Sequence, residues 1–205
     1  MTATAAHGSS PIPFPAANCD SRPRRALLAA AHKYAALGWR VLPGPVCDGI
    51  ANCHPISVKP LGVAEPTVPP ERATTDRRVV ATWWETHQHA ILAPVGDSFE
   101  VLRVSTSLAC EASALLEERH LGPVALAPSG GYFFVAPGAT IPRELSRMRG
   151  IELMHPNSLM VLPPSRVLGG VVTWWISPLR SEGKLGDIRI IEDSILKTIP
   201  RLAAQ

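Results

Sequence analysis

Short, largely apolar segments recur from residue 91 to residue 176, and they limit the possible folds more than any other feature of the sequence. They read ILAP, FEVLRV, VALA, YFFV, LMVL and VTWWI, and a Gly, Pro or polar residue lies within two positions of each end. Runs of about four to eight such residues are typical of strands buried in a sheet. None approaches the roughly 20 apolar residues of a membrane-spanning helix, so we expect no role in a membrane.

Four other stretches have apolar residues at helical spacing. The first stops at Gly38, the second is capped by Thr75 or Asp76, the third ends at Gly122, and the last closes the chain with a break near Pro200. Helices and strands mixed in this way predict an α+β fold, in which helices flank a mixed or antiparallel sheet.

The composition is that of a globular protein with one main domain. Hydrophobic residues make up 46% and charged residues 18% of a 205-residue chain, which is enough to bury a core. We expect a disordered arm over residues 1–22, a domain over 23–180 and a helical C-terminal extension over 181–205.

The arm lacks the basic and apolar regions of a signal peptide, and the four cysteines have no disulfide-framework spacing. We therefore expect a cytoplasmic protein with reduced thiols.

The segment FEVLRVS places Arg103 in the middle of an otherwise apolar strand. Side chains alternate across a strand, so Arg103 and Ser105 share one face while Glu100 points to the other. A guanidinium is costly to bury and is tolerated when it is paired or when it faces a cleft. Three interpretations stay open: an ion pair, contact with a bound phosphate, or a side chain that reaches solvent from the edge of the sheet.

Several pieces of the chain match one known family in order and spacing. These pieces are AAHKYAALGWRVLP, ATTDRRVVATWW, GDSFEVLRVS, APSGGYFFV, GIELMHPNSLMVLPPS and VTWW. Over about residues 26 to 178 the chain resembles the bifunctional primase-polymerase (prim-pol) domain of the archaeo-eukaryotic primase superfamily. The resemblance implies an RRM-like sheet packed against a smaller N-terminal α/β portion. It also implies a DNA primase/polymerase that uses two metal ions.

The residues that correspond to the family's catalytic groups are largely replaced. In active relatives the strand matching FEVLRVS carries Asp-x-Asp, and Arg103 and Ser105 stand at those two positions here. Phe133 stands at the position of a histidine, and the third carboxylate is present as Glu152. One carboxylate and one hydroxyl cannot hold two Mg²⁺ or Mn²⁺ ions. We therefore expect a degenerate site in which Arg103 pairs with Glu152 on the adjacent strand.

The resemblance also assigns Ser129, Gly130 and Gly131 to a loop near the nucleotide triphosphate. Glycines let a backbone approach phosphate closely and offer N–H groups to it. With Arg103, these residues are the candidates for nucleotide binding. A Gly-Gly pair between two strands is also an ordinary hairpin turn that needs no ligand.

A separate loop, CDGIANCHP, contains Cys47, Cys53 and His54. Thiolates and imidazole suit zinc, but the spacing is not Cys-x-x-Cys and no fourth ligand is evident. A zinc site and a loop of reduced cysteines both remain open.

Three functions agree with these observations. The leading hypothesis is a degenerate primase/polymerase-like protein that binds nucleotide or single-stranded DNA or acts as a regulatory module. The alternative is a protein-interaction module whose cleft is sealed by Arg103, Tyr132 and Phe133. The third is an active metal-dependent nucleotidyltransferase with an unusual site.

Overall fold

The computed structural model describes residues 21–57, 59–115 and 118–202. The expected disordered arm lies outside these ranges except for Ser21 and Arg22, which begin the first helix. Six α-helices are present in the described ranges: α1 Ser21–Ala36, α2 Arg77–Thr86, α3 Thr106–Ala114, α4 Glu118–Leu121, α5 Arg143–Ser146 and α6 Ile188–Leu202. A single 3-10 turn, Pro70–Arg72, precedes α2.

Twelve short strands accompany these helices in the described ranges. They are β1 Leu42–Pro43, β2 Val46–Cys47, β3 Asn52–Cys53, β4 Ile91–Pro94, β5 Glu100–Val104, β6 Val124–Ala127, β7 Gly130–Val135, β8 Glu152–Leu153, β9 Leu159–Leu162, β10 Arg166–Val167, β11 Gly170–Val171 and β12 Thr173–Ile176. Five of them form the central sheet in the order β12-β6-β7-β5-β8, and every pair in it is antiparallel. The predicted α+β architecture, antiparallel sheets flanked by helices, is confirmed.

One face of the central sheet is covered by α3 and α6. Leu102 of β5 and Phe133 of β7 are fully buried there, together with Ile191 and Ile195 of α6. The two helices are also joined by a hydrogen bond that the Ser194 hydroxyl donates to a carbonyl of α3, over 2.6 Å. The end of the chain is therefore part of the core on this face.

The other face of the sheet packs against a smaller N-terminal lobe. This lobe contains α1, α2 and a second sheet in the order β1-β4-β9. Its contact with the central sheet is aromatic: the ring centroid of Trp39 lies 4.7 Å from that of Phe99 and 5.4 Å from that of Phe134. The first pair is tilted and the second is stacked, and such aromatic pairs add to the free energy gained by burying the rings themselves.

A local sequence signal explains where α2 begins, whereas the signal at Pro200 does not end α6. The Asp76 carboxylate accepts a hydrogen bond from the Arg78 N–H and caps α2, which decides between Thr75 and Asp76, the two caps that the sequence left open. The predicted break of the last helix near Pro200 is wrong, since α6 continues through this residue to Leu202. Proline lacks the N–H group that would donate one backbone hydrogen bond of the helix. Close to a helix end, the free energy lost with this bond is smaller than the free energy gained by packing the preceding turns.

No helix of the described ranges is long and apolar enough to cross a bilayer. The cytoplasmic location and the domain boundaries expected from the sequence stay predictions.

The buried Tyr34 hydroxyl makes two hydrogen bonds, and the one with Trp174 of β12 joins the two lobes. This hydroxyl donates to the Pro163 carbonyl over 2.6 Å and accepts from the Trp174 indole over 2.9 Å. Burial raises the pKa of this phenol well above its usual value. We predict that Tyr34→Phe lowers the free energy of unfolding by about 1–3 kcal/mol, because a buried donor and acceptor lose their partner.

Urea denaturation measures this change, and Tyr132→Phe is the matched control. The Tyr132 hydroxyl contacts the side chain of the exposed Ser129, so its removal should cost less than about 1 kcal/mol. Equal effects of the two substitutions would contradict a special role of Tyr34 in joining the lobes.

Candidate functional site

Strand β5 presents Arg103 on the face of the central sheet that is not covered by α3 and α6. Val101, on the same face, is fully buried under the N-terminal lobe. Arg103 follows Val101 by two residues on this face of β5, and 46% of its side chain is exposed. The guanidinium is therefore a half-exposed group at the edge of the contact between the lobes.

The ion pair expected from the sequence is present. Arg103 and Glu152 stand directly opposite each other across β5 and β8. The Arg103 Nη1 atom lies 3.8 Å from Glu152 Oε2, and Nη2 donates a hydrogen bond to the Ser129 carbonyl over 3.3 Å. The contact with Glu152 is a single long one and not a bidentate pair, so it constrains the guanidinium only weakly.

Ser105, which stands at the second aspartate position of the resemblance, has a structural role at the start of α3. It is the N-cap residue, and its hydroxyl accepts a hydrogen bond from the Leu108 N–H over 3.2 Å. Aspartate is as favourable as serine at an N-cap. The need for a cap therefore does not explain why a carboxylate is missing here.

Two nearby acids are engaged elsewhere. Asp97 forms an ion pair with Arg40 at 2.7 Å. Glu100 is buried on the opposite face, where it accepts a hydrogen bond from the Gly138 N–H over 3.3 Å. Among the residues the structure describes, no cluster of three His, Cys, Asp or Glu side chains could hold a metal ion.

The Ser129-Gly130-Gly131 segment forms a tight hairpin between β6 and β7. Pro128 and Ser129 are the turn residues, because Ala127 pairs with Gly130. Both glycines are buried. A Cβ atom on Gly130 would lie 2.6 Å from the Val104 carbonyl oxygen.

At Gly131 the added Cβ atom would lie 2.2 Å from the Ala109 Cβ atom of α3. The close approach of β7 to β5 and α3 thus explains both glycines without any ligand.

Phe133 does not lie in the cleft, contrary to the expectation that it helps to seal it. Along β7, Tyr132 pairs with Arg103 and Phe133 pairs with Leu102. Because neighbouring residues of a strand face opposite ways, the Phe133 ring is fully buried under α3 and α6. Of the aromatic pair, only Tyr132 lies on the face of Arg103.

Among the described residues, Cys47, Cys53 and His54 do not form a cluster that could hold a metal ion, and zinc binding by this loop stays a prediction. Cys47 pairs with Asn52, and Cys53 pairs with Val46 in the β2–β3 hairpin. Cys47 and Cys53 therefore stand one register position apart and point to opposite faces. The Nδ1 atom of His54 already accepts hydrogen bonds from two backbone N–H groups of its own loop.

A pocket of about 420 Å³ is lined by the hairpin and by residues of the N-terminal lobe. Arg103 is not one of its lining residues, but its guanidinium donates a hydrogen bond to the carbonyl of Ser129, which is. Ser129 and Tyr132 line it on one side, and their hydroxyl oxygens are 2.7 Å apart. Apolar side chains line the rest, among them Met154, Met160 and Leu168. The sequence gives no signal for this pocket, because its lining comes from five segments that are separated from one another along the chain.

A known protein family matches most of the chain. The family is described as Bifunctional DNA primase/polymerase, N-terminal (Prim-Pol), and the match covers residues 31–185. The chain belongs to the Prim-Pol family. No curated protein and no solved structure matches it at a significant level. The resemblance stated from the sequence is therefore confirmed.

The family match can be compared with the positions of the candidate site residues. The match spans both lobes of this Prim-Pol domain and ends just before α6. Arg103, Glu152 and the Ser129 hairpin stand close together in it, as the resemblance implies. Ser105 caps the neighbouring helix, and Phe133 stands apart from them.

The packing of Gly131 gives a direct prediction for this Prim-Pol domain. We predict that Gly131→Ala lowers the free energy of unfolding by about 1–3 kcal/mol, since its methyl group overlaps Ala109. In an Ala109→Gly background the same substitution should cost at least about 1 kcal/mol less. Chemical denaturation of the four proteins in this cycle measures the coupling.

Ala112→Gly, on the same helix, is the matched control and should leave the cost of Gly131→Ala unchanged. A Gly131→Ala protein of normal stability that binds nucleotide more weakly would instead assign the glycine to a ligand.

Proposed function

We propose that this Prim-Pol chain does not catalyse nucleotidyl transfer and instead binds the phosphate of a nucleotide or of single-stranded DNA at Arg103. The observation that carries the proposal is the pairing of Arg103 with Glu152 across β5 and β8. It places a permanent cation beside the carboxylate that the family resemblance assigns to metal binding.

Electrostatics opposes two-metal chemistry at this position. Two divalent ions need several hard oxygen ligands, and Glu152 is the carboxylate present. A unit positive charge about 4 Å from a divalent ion costs about 2 kcal/mol even in bulk water, and more near protein. The guanidinium of Arg103 cannot lose its proton to avoid this cost.

The same guanidinium is suited to phosphate. It is half exposed, and its contacts with Glu152 and the Ser129 carbonyl are long. A planar guanidinium can bind two oxygens of a phosphate at once. Glu152, with 55% of its side chain exposed, reduces the local positive charge and should weaken this binding.

Restoring the missing carboxylates should restore metal binding. We predict that the double substitution Arg103→Asp, Ser105→Asp binds Mn²⁺ at least about tenfold more tightly than the wild type, because it removes one cation and adds two carboxylates beside Glu152. Aspartate at position 105 keeps the cap of α3, so the fold should persist. Electron paramagnetic resonance of Mn²⁺ measures the free ion.

Ser105→Asp alone is the control, since it adds a carboxylate but keeps the guanidinium. It should bind Mn²⁺ much more weakly than the double variant, and Glu152→Gln in the double variant should reduce its affinity. Tight Mn²⁺ binding by the wild type itself would contradict the proposal.

Phosphate binding should not depend on metal. We predict that the protein binds a deoxynucleoside triphosphate and a single-stranded oligonucleotide in the presence of EDTA. Arg103→Gln should weaken binding about tenfold, as expected for the loss of a charge-assisted hydrogen bond. Arg189→Gln, on α6 at the opposite face, should have no effect. Fluorescence anisotropy at two salt concentrations measures both ligands.

Glu152→Gln separates binding from catalysis. It should strengthen phosphate binding if Glu152 only screens Arg103. In an active polymerase it should abolish Mg²⁺- or Mn²⁺-dependent nucleotide incorporation instead. Incorporation by the wild type that is lost in this variant, or the absence of binding to both ligands, would overturn the proposal.

A further inference from the structure

The pocket lined by Ser129 and Tyr132 is mostly apolar, and phosphate binding at Arg103 does not explain an apolar pocket. Its lining includes soft, adaptable side chains from both lobes, such as Met154 and Met160. The described residues that line it carry no charge. Ser129 and Tyr132 supply its polar side-chain atoms, and those two hydroxyls already contact each other.

The rim of the pocket is also apolar and open to solvent. Val63 and Leu168 line it from opposite loops, and each is 42% exposed. Exposed apolar side chains that continue into a concave pocket are typical of protein-interaction sites, in which a buried anchor residue supplies most of the affinity.

A nucleobase is a poor match for this lining. Its hydrogen-bonding edge would lie against aliphatic groups, and each unsatisfied polar group costs about 1–3 kcal/mol. A nucleic-acid backbone that entered the pocket would also need cations there, and the described lining residues include none. An aliphatic or aromatic protein side chain has neither requirement.

Arg103 adds one charge next to this apolar surface. The guanidinium donates a hydrogen bond to the carbonyl of Ser129, and Ser129 lines the pocket. Arg103 also stands opposite Tyr132, another lining residue, across β5 and β7. The contact with Glu152 is single and 3.8 Å long, so it holds the half-exposed guanidinium only weakly and a second carboxylate can compete for it. The charge of the complementary group is therefore negative.

We infer that the pocket docks a segment of a partner protein in which a bulky apolar residue stands next to an acidic one. The apolar side chain fills the pocket, and the carboxylate binds Arg103. The inference does not depend on nucleotide binding, but the two ligands share Arg103. A docked segment therefore competes with phosphate and controls access to the cleft.

Selection from a random 12-residue peptide display library on the full-length protein tests this inference. We expect enriched peptides to share a large apolar residue next to Asp or Glu. A synthetic peptide of that sequence should bind at least about tenfold more weakly to Leu168→Asp and to Arg103→Gln. It should bind more tightly to Glu152→Gln, which removes the competing carboxylate.

Leu179→Asp is the matched control, because Leu179 is 88% exposed and does not line the pocket. It should bind the peptide like the wild type. Replacing the acidic residue of the peptide by its amide should reproduce the loss seen with Arg103→Gln.

Three results would overturn the inference. The first is the absence of a shared motif, or a motif whose binding Leu168→Asp leaves unchanged. The second is a loss of oligonucleotide binding in Leu168→Asp without any effect on peptide binding, which would assign the pocket to nucleic acid. The third is a dimer in sedimentation that Leu168→Asp dissociates, which would assign it to a second copy of the chain. If the wild-type protein binds the selected peptide but no nucleotide, the proposed function fails and this inference is supported.

Discussion

The alternation of side chains along β5 and β7 decides what each face of the central sheet can do. Leu102 and Phe133 point to α3 and α6 and are fully buried, whereas Arg103 and Tyr132 point to the N-terminal lobe. A shift of one residue in either strand would place a guanidinium in the core, at a cost that the fold could not meet. The same register sets Arg103 opposite Glu152. The candidate site is thus a direct consequence of how the core is packed.

A fixed cation at this position changes the chemistry of the whole cleft. Metal-dependent nucleotidyl transfer needs concentrated negative charge to hold two divalent ions. Here the positive charge comes from the protein itself and is available to an anion without any metal. The adjoining apolar pocket adds a surface for a hydrophobic group, so we propose that an amphiphilic anionic partner uses both features. In that proposal, binding of a phosphate and binding of an acidic peptide exclude each other at Arg103.

Much of the fold could be predicted from the sequence, because its signals are local. The strand segments around Arg103, a cap of α2 at Thr75 or Asp76 and the α+β architecture followed from periodicity and turn residues. The pairing of Arg103 with Glu152 followed from the family resemblance. Phe133 was misplaced because its face depends on the register of β7, which starts at Gly130 directly after a two-residue turn. The zinc hypothesis had the same weakness, since the faces of Cys47 and Cys53 depend on the pairing of β2 with β3. The pocket could not be predicted, because its walls come from segments distant in sequence.

Anomalous diffraction from crystals of the wild-type protein soaked in manganese tests most directly whether the guanidinium has replaced the metal ions. We predict no manganese peak within coordination distance of the Glu152 carboxylate, roughly 2.0–2.6 Å for hard oxygen ligands, and an Arg103 side chain that stays in place. An ordered manganese ion bound to Glu152 beside Arg103 would contradict this and would return the cleft to metal-dependent chemistry.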